Sequence, residues 1–142
     1  MTNDAFETLL ADTRRGVLTT VKSNGRPQLS NVLYLADPAN RLIRVSATAD
    51  RAKSVNLRRD PRASLHVTSP DFGTYVVAEG TADVTPVAAE PDDATVEELV
   101  EMYRGLAGEH PDWDDYRAAM IRDRRLVIRL RVERLYGGGT GG

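Results

Sequence analysis

The sequence predicts an α+β fold in which six antiparallel strands form a barrel flanked by short helices. Hydrophobic and polar residues alternate at a period of two through much of residues 17–84 and again after residue 125, as in half-buried strands. The later helical patterns are grouped between residues 94 and 123 instead of alternating with strands, which excludes a doubly wound α/β sheet. With 142 residues, the chain has the length of one domain, which we expect to span residues 1–136.

The first half of the chain predicts a helix followed by an antiparallel meander. Apolar residues have helical spacing within residues 3–14, and Thr2 or Asn3 is suited to cap this helix. The dipeptide Asn24-Gly25 is a strong hairpin signal, so the strands on either side of it should pair. Three strands are expected in this half, at residues 17–21, 28–35 and 42–47.

The second half predicts a short helix, two strands, two further helices and a final strand. Gly80 marks a bulge or bend, and Thr95 with Glu98 resembles a capping box at the start of a helix. The glycine-rich tail, residues 137–142, has almost no side chains to pack, so we expect it to be flexible. The expected elements are helices within 50–59, 95–106 and 114–123, and strands at 63–68, 75–84 and 126–132.

Composition excludes several classes of function. The chain has no cysteine, so disulfides, thiolate metal sites, iron–sulfur clusters and cysteine nucleophiles are impossible. A net charge of -2 argues against a nucleic-acid partner, because nucleic-acid-binding domains usually carry a basic excess. No apolar run is long enough to cross a membrane and no signal peptide is recognisable, so we expect a cytoplasmic protein without a membrane partner.

Residues 46–62 combine a strand end, a hydroxyl-rich turn and the start of a basic helix. Hydroxyl groups such as those of Ser46 and Thr48, free N–H groups at a helix start, and the cations Arg51 and Lys53 together suit a phosphate dianion. Solvated charges on a surface helix explain the same residues equally well. Composition alone leaves both interpretations open.

The second predicted strand carries polar side chains where apolar ones would be ordinary. Gln28, Ser30 and Asn31 are suited to bind the edge of a heteroaromatic ring that presents carbonyl and N–H groups. An edge strand with polar residues on its outer side is the simpler explanation of this segment taken in isolation.

The sequence contains no recognisable catalytic motif or metal-binding motif. His66 and His110 lie far apart and both are expected to be structural, and no Ser-His-Asp arrangement, P-loop or Gly-x-Gly-x-x-Gly turn is present. A cofactor enzyme fits this pattern, because in such enzymes the cofactor carries the chemistry and the protein positions it.

Five segments together resemble a known family: residues 16–20, 24–32, 51–65, 78–82 and 112–116. They are similar to the pyridoxamine 5′-phosphate oxidase-like superfamily of flavin-binding split β-barrels, and within it to the coenzyme F420-dependent branch. The resemblance implies a homodimer whose cofactor sites lie in grooves between the subunits. It also implies that Arg51 and Lys53 hold the cofactor phosphate, with Ser46, Thr48 and Asn56 as neighbours.

The same resemblance implies residues for the rest of the cofactor and a function. The tricyclic ring would border Gln28, Ser30, Asn31 and the backbone at Val32, with Tyr75 reaching in from the other subunit. The implied function is an F420H2-dependent reductase that transfers a hydride to a small electron-poor organic substrate. The alternatives are an oxidoreductase that uses flavin mononucleotide (FMN), and a non-catalytic protein that binds a flavin, a deazaflavin or haem. The oligoglutamate tail of coenzyme F420 would need further cations, for which Arg58, Arg59 and Arg62 are the candidates.

Overall fold

The computed structural model describes residues 3–139, which form an α+β fold with a curled antiparallel sheet of seven strands and four α-helices in that range. The strand order across the sheet is β2-β1-β5-β6-β7-β4-β3. The sheet curls so far that β2 and β4 contact each other although no ladder pairs them, and this leaves the barrel split between them. The elements are α1 (Asn3–Asp12), β1 (Arg15–Val21), β2 (Pro27–Leu33), β3 (Leu35–Asp37), β4 (Leu42–Thr48), α2 (Ala52–Arg59), β5 (Arg62–Thr68), β6 (Thr74–Val84), α3 (Ala94–Ala107), α4 (Trp113–Arg122) and β7 (Arg125–Gly139).

The fold class predicted from sequence is confirmed, but the strand count of six is wrong by one. The single strand expected at residues 28–35 is divided at Tyr34, whose side chain is fully buried and whose hydroxyl donates to the Leu10 carbonyl at 2.7 Å. Before this residue β2 pairs with β1, and after it Leu35 pairs with Arg44 of β4 at the opposite end of the sheet. A period-two pattern does not reveal such an exchange of partner strands.

Two apolar cores lie on opposite faces of the sheet. The larger fills the inside of the curl, where inward residues of the strands pack with Phe6 and Leu10 of α1. The smaller lies where α3 and α4 cover the outer face, with Val96 and Leu99 packed against Val127 of β7. The side chains of Thr2 and Asn3, expected to cap the first helix, lie outside the described part of the chain. No helix within residues 3–139 is long and apolar enough to cross a membrane.

The start of α3 is capped differently from the sequence-based expectation. Asp93 is the N-cap, and its carboxylate accepts from the backbone N–H of Val96 at 2.8 Å. Thr95 instead donates its hydroxyl to the Pro86 carbonyl at 2.8 Å, so the capping box expected at Thr95 and Glu98 is wrong. An acidic residue one turn into a helix predicts a capping interaction. In the structure, Glu98 instead forms ion pairs with arginines of the sheet.

Glu98 fastens α3 to the sheet through two arginines. Its carboxylate accepts from Arg44 Nε at 2.9 Å and from Arg129 Nε at 3.0 Å, and Arg129 Nη2 forms a further ion pair with it. Burial alone would raise the pKa of Glu98, but the hydrogen bonds and charges of Arg129 and Arg44 hold it below its ordinary value. Arg44 and Arg129 lie directly opposite each other on β4 and β7, so the carboxylate also screens their mutual repulsion.

We expect Glu98→Gln to lower the free energy of unfolding by about 2 kcal/mol near neutral pH, the range for a lost bond to a charged group. Because the folded-state pKa of Glu98 is lowered, its contribution is present above the unfolded-state pKa and is lost as the pH falls through the folded-state value. The difference between Glu98→Gln and the wild type, measured by urea unfolding, should therefore shrink in acid. Glu97→Gln, which removes a more exposed partner of Arg117, serves as the control and should cost much less. A penalty that stays constant or grows in acid would contradict this role.

Glycines lie at two places in the ladder between β6 and β7. The register shifts between Glu79 and Gly80, so the bulge predicted at Gly80 is confirmed. The flexible tail expected from residue 137 is wrong for residues 137–139, because they pair with Thr74–Val76 as the end of β7; residues 140–142 lie outside the described range. A Cβ on Gly137 would lie 2.1 Å from the carbonyl oxygen of Tyr75, so glycine permits the close approach of two backbones there. The expected span of the domain otherwise stays a prediction.

We expect Gly137→Ala to destabilise the protein by about 1 to 3 kcal/mol, because the added methyl group forces β6 and β7 apart. Gly138→Ala is the matched control, since a Cβ on Gly138 meets nothing closer than an ordinary contact of 3.7 Å with the Tyr75 ring. Thermal unfolding of the two variants measures the difference. Equal stability of the two would show that residues 137–139 are not held in the ladder.

Candidate functional site

A groove of about 480 Å³ opens at the split in the barrel, where β2 and β4 approach each other without pairing. Its walls come from β2, the end of β4, the start of α2 and the first residue of β7, and we call it the cationic groove. Its lining residues are Gln28, Ser30, Asn31, Ser46, Ala47, Thr48, Arg51, Ala52, Lys53 and Arg125.

The connection from β4 to α2 is fixed by hydrogen bonds. The backbone N–H of Ala49 donates to the Arg124 carbonyl at 3.0 Å, and the Ser54 hydroxyl donates to the Thr48 carbonyl at 2.9 Å. Arg51 is the N-cap of α2 in extended conformation, and its side chain forms no capping hydrogen bond. The positive end of the helix dipole therefore lies beside the groove without an acidic side chain in the first turn.

Three cations converge on the groove without a counter-charge. Arg51, Lys53 and Arg125 all line it, and within residues 3–139 none of them has an ion-pair partner. The Nε of Arg125 is buried and has no hydrogen-bond partner. Burial, followed by the charges of Arg51 and Arg125, lowers the pKa of Lys53. A bound dianion would accept a hydrogen bond from the buried, unsatisfied donor and would neutralise the repulsion among the three cations.

Arg125 is the groove residue that sequence reasoning missed. It pairs with Thr48 in the ladder between β4 and β7, and this pairing brings it beside Lys53. The sequence offered one weak signal, a basic pair at residues 124 and 125 just before the final strand. Its place in the groove depends on a contact between segments far apart in the chain, which no local pattern contains.

The structure brings together most of the residues predicted to bind a cofactor. Gln28, Ser30 and Asn31 from β2 line the groove together with Ser46 and Thr48 of β4, although these two strands share no ladder. The remaining members of the predicted set that line the groove are Arg51 and Lys53.

Three of the predicted residues lie elsewhere. Val32 packs against the main core and lines a neighbouring groove. Asn56 is buried, and its Nδ2 donates to the Thr20 hydroxyl at 3.1 Å, so it fastens α2 to β1 and does not reach the cationic groove. Tyr75 lies on the outer face of the sheet, with its ring stacked on His66 at 5.6 Å. A role for Tyr75 in the site of a second subunit stays a prediction.

The three arginines considered for an oligoglutamate tail make contacts within the chain. Arg58 donates to the Ala49 carbonyl at 3.1 Å, and Arg59 donates to the Val21 carbonyl at 2.6 Å. Arg62 forms an ion pair with Asp60 at 2.7 Å, and its hydrogen bonds lower the pKa of Asp60 to about 2. None of the three lines the cationic groove.

The side chains of the groove can bind an anion and hydrogen-bond a polar ring, and Lys53 is their only readily titratable group among the described residues. Among the described residues that line it there is no aspartate, glutamate or histidine. Across residues 3–139, no group of three or more aspartate, glutamate or histidine side chains is placed to hold a metal ion. The fold and the groove therefore define an α+β split barrel with a cationic groove that is suited to an anion.

Comparison with known proteins places this barrel in a family. A family model described as pyridoxamine 5′-phosphate oxidase matches residues 2–137. The chain belongs to this family, a group of split β-barrels whose members bind flavins.

Solved structures agree with this assignment. A conserved hypothetical protein from Mycobacterium tuberculosis is 23% identical with a TM-score of 0.74, over 99% of this chain and 86% of that one. An F420 reductase is 26% identical with a TM-score of 0.65, over 92% of this chain and 95% of that one. The haem storage protein of Vibrio cholerae is 15% identical with a TM-score of 0.67, over 94% and 90% of the two chains. The first and third of these likenesses concern the fold alone.

Proposed function

We propose that this chain is an F420H2-dependent reductase that passes a hydride to a small electron-poor organic molecule. The observation that carries the proposal is the cationic groove, in which Arg51, Lys53 and Arg125 converge without a carboxylate partner within residues 3–139. Such a cluster costs stability in the free protein, because like charges repel and Lys53 is partly desolvated. A bound phosphate dianion relieves the repulsion among these cations, and this relief favours binding.

Each part of the groove has a role in holding the cofactor. Arg51, Lys53 and Arg125 bind the phosphate, and the hydroxyls of Ser46 and Thr48 donate further hydrogen bonds beside it. The N-terminal end of α2 adds the favourable end of its dipole.

The polar residues of β2 orient the ring. Gln28 and Ser30 offer an amide and a hydroxyl along the strand, and Asn31 lies where the cationic groove meets its neighbour. When bound in its reduced form, coenzyme F420 supplies a hydride from its deazaflavin C5, and a proton from solvent completes the reduction of the acceptor. The lining contains no carboxyl or imidazole group to supply that proton.

The choice of coenzyme F420 rests on the sequence motifs and on the likeness to an F420 reductase at 26% identity. FMN is the second candidate, because the family binds flavins and both cofactors present a phosphate to such a groove. A non-catalytic protein that binds a flavin, a deazaflavin or haem on the same barrel is the third, in view of the likeness to a haem storage protein. The internal contacts of Arg58, Arg59 and Arg62 give no support to a role for them in holding a glutamate tail. The cytoplasmic location stays a prediction.

We propose that the protein acts as a homodimer that packs through the outer face of the sheet. Leu29 and Leu33 of β2 are 60% and 57% exposed, and Tyr75 and Tyr136 present further apolar surface on β6 and β7. The ladders place Asn31, Val17, His66, Val77 and Tyr136 in one row across five strands. A row of mostly apolar and aromatic residues on an open sheet face is suited to a second copy of the same face.

We expect Arg51→Ala, Lys53→Ala and Arg125→Ala each to weaken cofactor binding by about 1 to 3 kcal/mol, the range for a lost charge-assisted contact. Titration of the protein with coenzyme F420 and separately with FMN, followed by fluorescence, measures the dissociation constants and ranks the two cofactors. Lys22→Ala, which removes the only other lysine of the chain from an exposed turn, should bind as the wild type does. Unchanged dissociation constants in all three groove variants would remove the assignment, and tighter binding of FMN would favour the second candidate.

We expect the wild-type protein to sediment as a dimer and Leu29→Glu to shift it towards monomer, because a buried carboxylate in an apolar interface is costly. Val55→Glu is the matched control, since Val55 is also exposed but lies on α2. Analytical ultracentrifugation measures the two variants. A wild-type monomer at micromolar concentration, or an unchanged dimer in Leu29→Glu, would remove this face from the proposal.

A further inference from the structure

Lys53 has the two properties that make a lysine amine nucleophilic. It is half-buried in the cationic groove, and the cations Arg51 and Arg125 line the same groove. Burial first, and these two charges second, favour the neutral amine over the ammonium ion and lower the pKa of Lys53. Enzymes activate lysine nucleophiles by the same two means, desolvation and a neighbouring cation. At a given pH, Lys53 therefore has a larger share of neutral amine than an ordinary exposed lysine.

No carboxylate in the described lining of the groove holds this amine protonated. From β2 and β4 the lining takes amide, hydroxyl and methyl side chains, so the charged groups around Lys53 are Arg51 at the start of α2 and Arg125 on β7. Lys53 forms no ion pair with any residue of 3–139. It also lies on α2, which contributes no residue to the face proposed for the dimer.

The same groove is suited to place a phosphate group beside the amine. The buried Nε of Arg125 has no hydrogen-bond partner, and the hydroxyls of Ser46 and Thr48 lie in the same lining. In an acyl phosphate, the electrophilic carbonyl carbon is bonded directly to a phosphate oxygen. A phosphate group held by these cations therefore brings the carbonyl carbon close to Nζ of Lys53. Acyl phosphates are the class of small molecule that uses both the anion site and the amine.

We propose that Lys53 is an acylation site for acyl phosphates, and that its acylation closes the cationic groove to the cofactor. The neutral Nζ attacks the carbonyl carbon and forms a C–N bond. The C–O bond to the phosphate group breaks, and inorganic phosphate leaves with the electron pair of that bond. The nitrogen releases a proton to solvent, so the products are an amide and inorganic phosphate.

The cations of the groove assist this step and are changed by it. Arg51 and Arg125 stabilise the negative charge of the departing phosphate. The amide on Lys53 is uncharged, so the groove keeps two of its three cations and gains the volume of the acyl group. The effect on the cofactor rests on the proposed function, whereas the acylation rests on the groove alone.

Acetyl phosphate tests the acylation, and the chain contains its own control. Lys22 is the only other lysine, and it is exposed in the turn between β1 and β2. Near neutral pH, we expect acetyl phosphate to acetylate Lys53 about tenfold faster than Lys22, because the groove holds the donor beside the amine. Peptide mass spectrometry over a time course measures both rates. Inorganic phosphate should slow the reaction of Lys53 and leave that of Lys22 unchanged. Equal rates at the two lysines, or no protection by phosphate, would overturn the inference.

A second donor tests whether the phosphate group directs the reaction. N-hydroxysuccinimidyl acetate transfers the same acetyl group but contains no phosphate, so the preference for Lys53 should be at least about threefold smaller with it. Arg125→Gln and the milder Ser46→Ala should each slow the acetylation of Lys53 by acetyl phosphate. Arg131→Gln removes an exposed cation outside the groove and should leave the rate unchanged. The same preference with both donors would contradict a role for the phosphate group.

Titration with coenzyme F420 and FMN measures the effect on the cofactor. We expect acetylation of Lys53 to weaken binding about tenfold, because one charge-assisted contact is lost. Lys53→Gln carries a neutral amide, as acetyl-lysine does, and should be weakened to a similar degree. Lys53→Arg cannot be acylated at this position, so its affinity should be the same before and after treatment with acetyl phosphate. Unchanged affinity of the acetylated wild-type protein would overturn the closing of the groove.

The two sets of measurements separate this inference from the proposed function. If the cofactors bind but Lys53 reacts no faster than Lys22, the acylation site fails and the reductase proposal stands. If Lys53 reacts selectively and phosphate protects it but neither cofactor binds, the acylation site stands. In that case the reductase proposal and the closing of the groove to a cofactor both fail.

Discussion

The repulsion among Arg51, Lys53 and Arg125 is the constraint on which the proposed function depends. The main core, the two edges of the split barrel and the start of α2 bring these cations together, and no carboxylate within residues 3–139 neutralises them. The lowered pKa of Lys53 and the unsatisfied Nε of Arg125 are two consequences of this arrangement. A fold selected only for stability would place an acid here, as it does between Arg44 and Arg129.

The arginine pair Arg44 and Arg129 differs from the cations of the groove in having a carboxylate partner within the chain. Glu98 satisfies Arg44 and Arg129 from within the chain and ties α3 to the sheet, so that cluster contributes to stability. The cations of the cationic groove have no such partner within residues 3–139, and hydroxyl and amide groups lie around them. Because its lining holds no aspartate, glutamate or histidine, the proposed function assigns binding and orientation to the protein and the reaction to the bound group.

The proposed cofactor site extends along one strand, β2. Gln28, Ser30 and Asn31 of β2 line the same groove as the cations. An edge strand is suited to this use, because one side of its backbone lacks a paired strand. The apolar residues on the outer face of the same strand, Leu29 and Leu33, connect the proposed site with the proposed dimer.

Local pattern determined the fold class, most strand positions and the bulge at Gly80, because alternation and turn signals are properties of neighbours in sequence. It also marked seven of the residues that line the groove, although only the family resemblance favoured a ligand site over an ordinary surface for them. Only the tertiary structure decided the exchange of partners at Tyr34, the pairing of residues 137–139 and the place of Arg125 in the cationic groove. Only it, too, showed that Asn56 serves the packing of α2 and that Glu98 pairs with arginines instead of capping a helix. Each of these depends on contacts between residues far apart in the chain, whose energies no local pattern records.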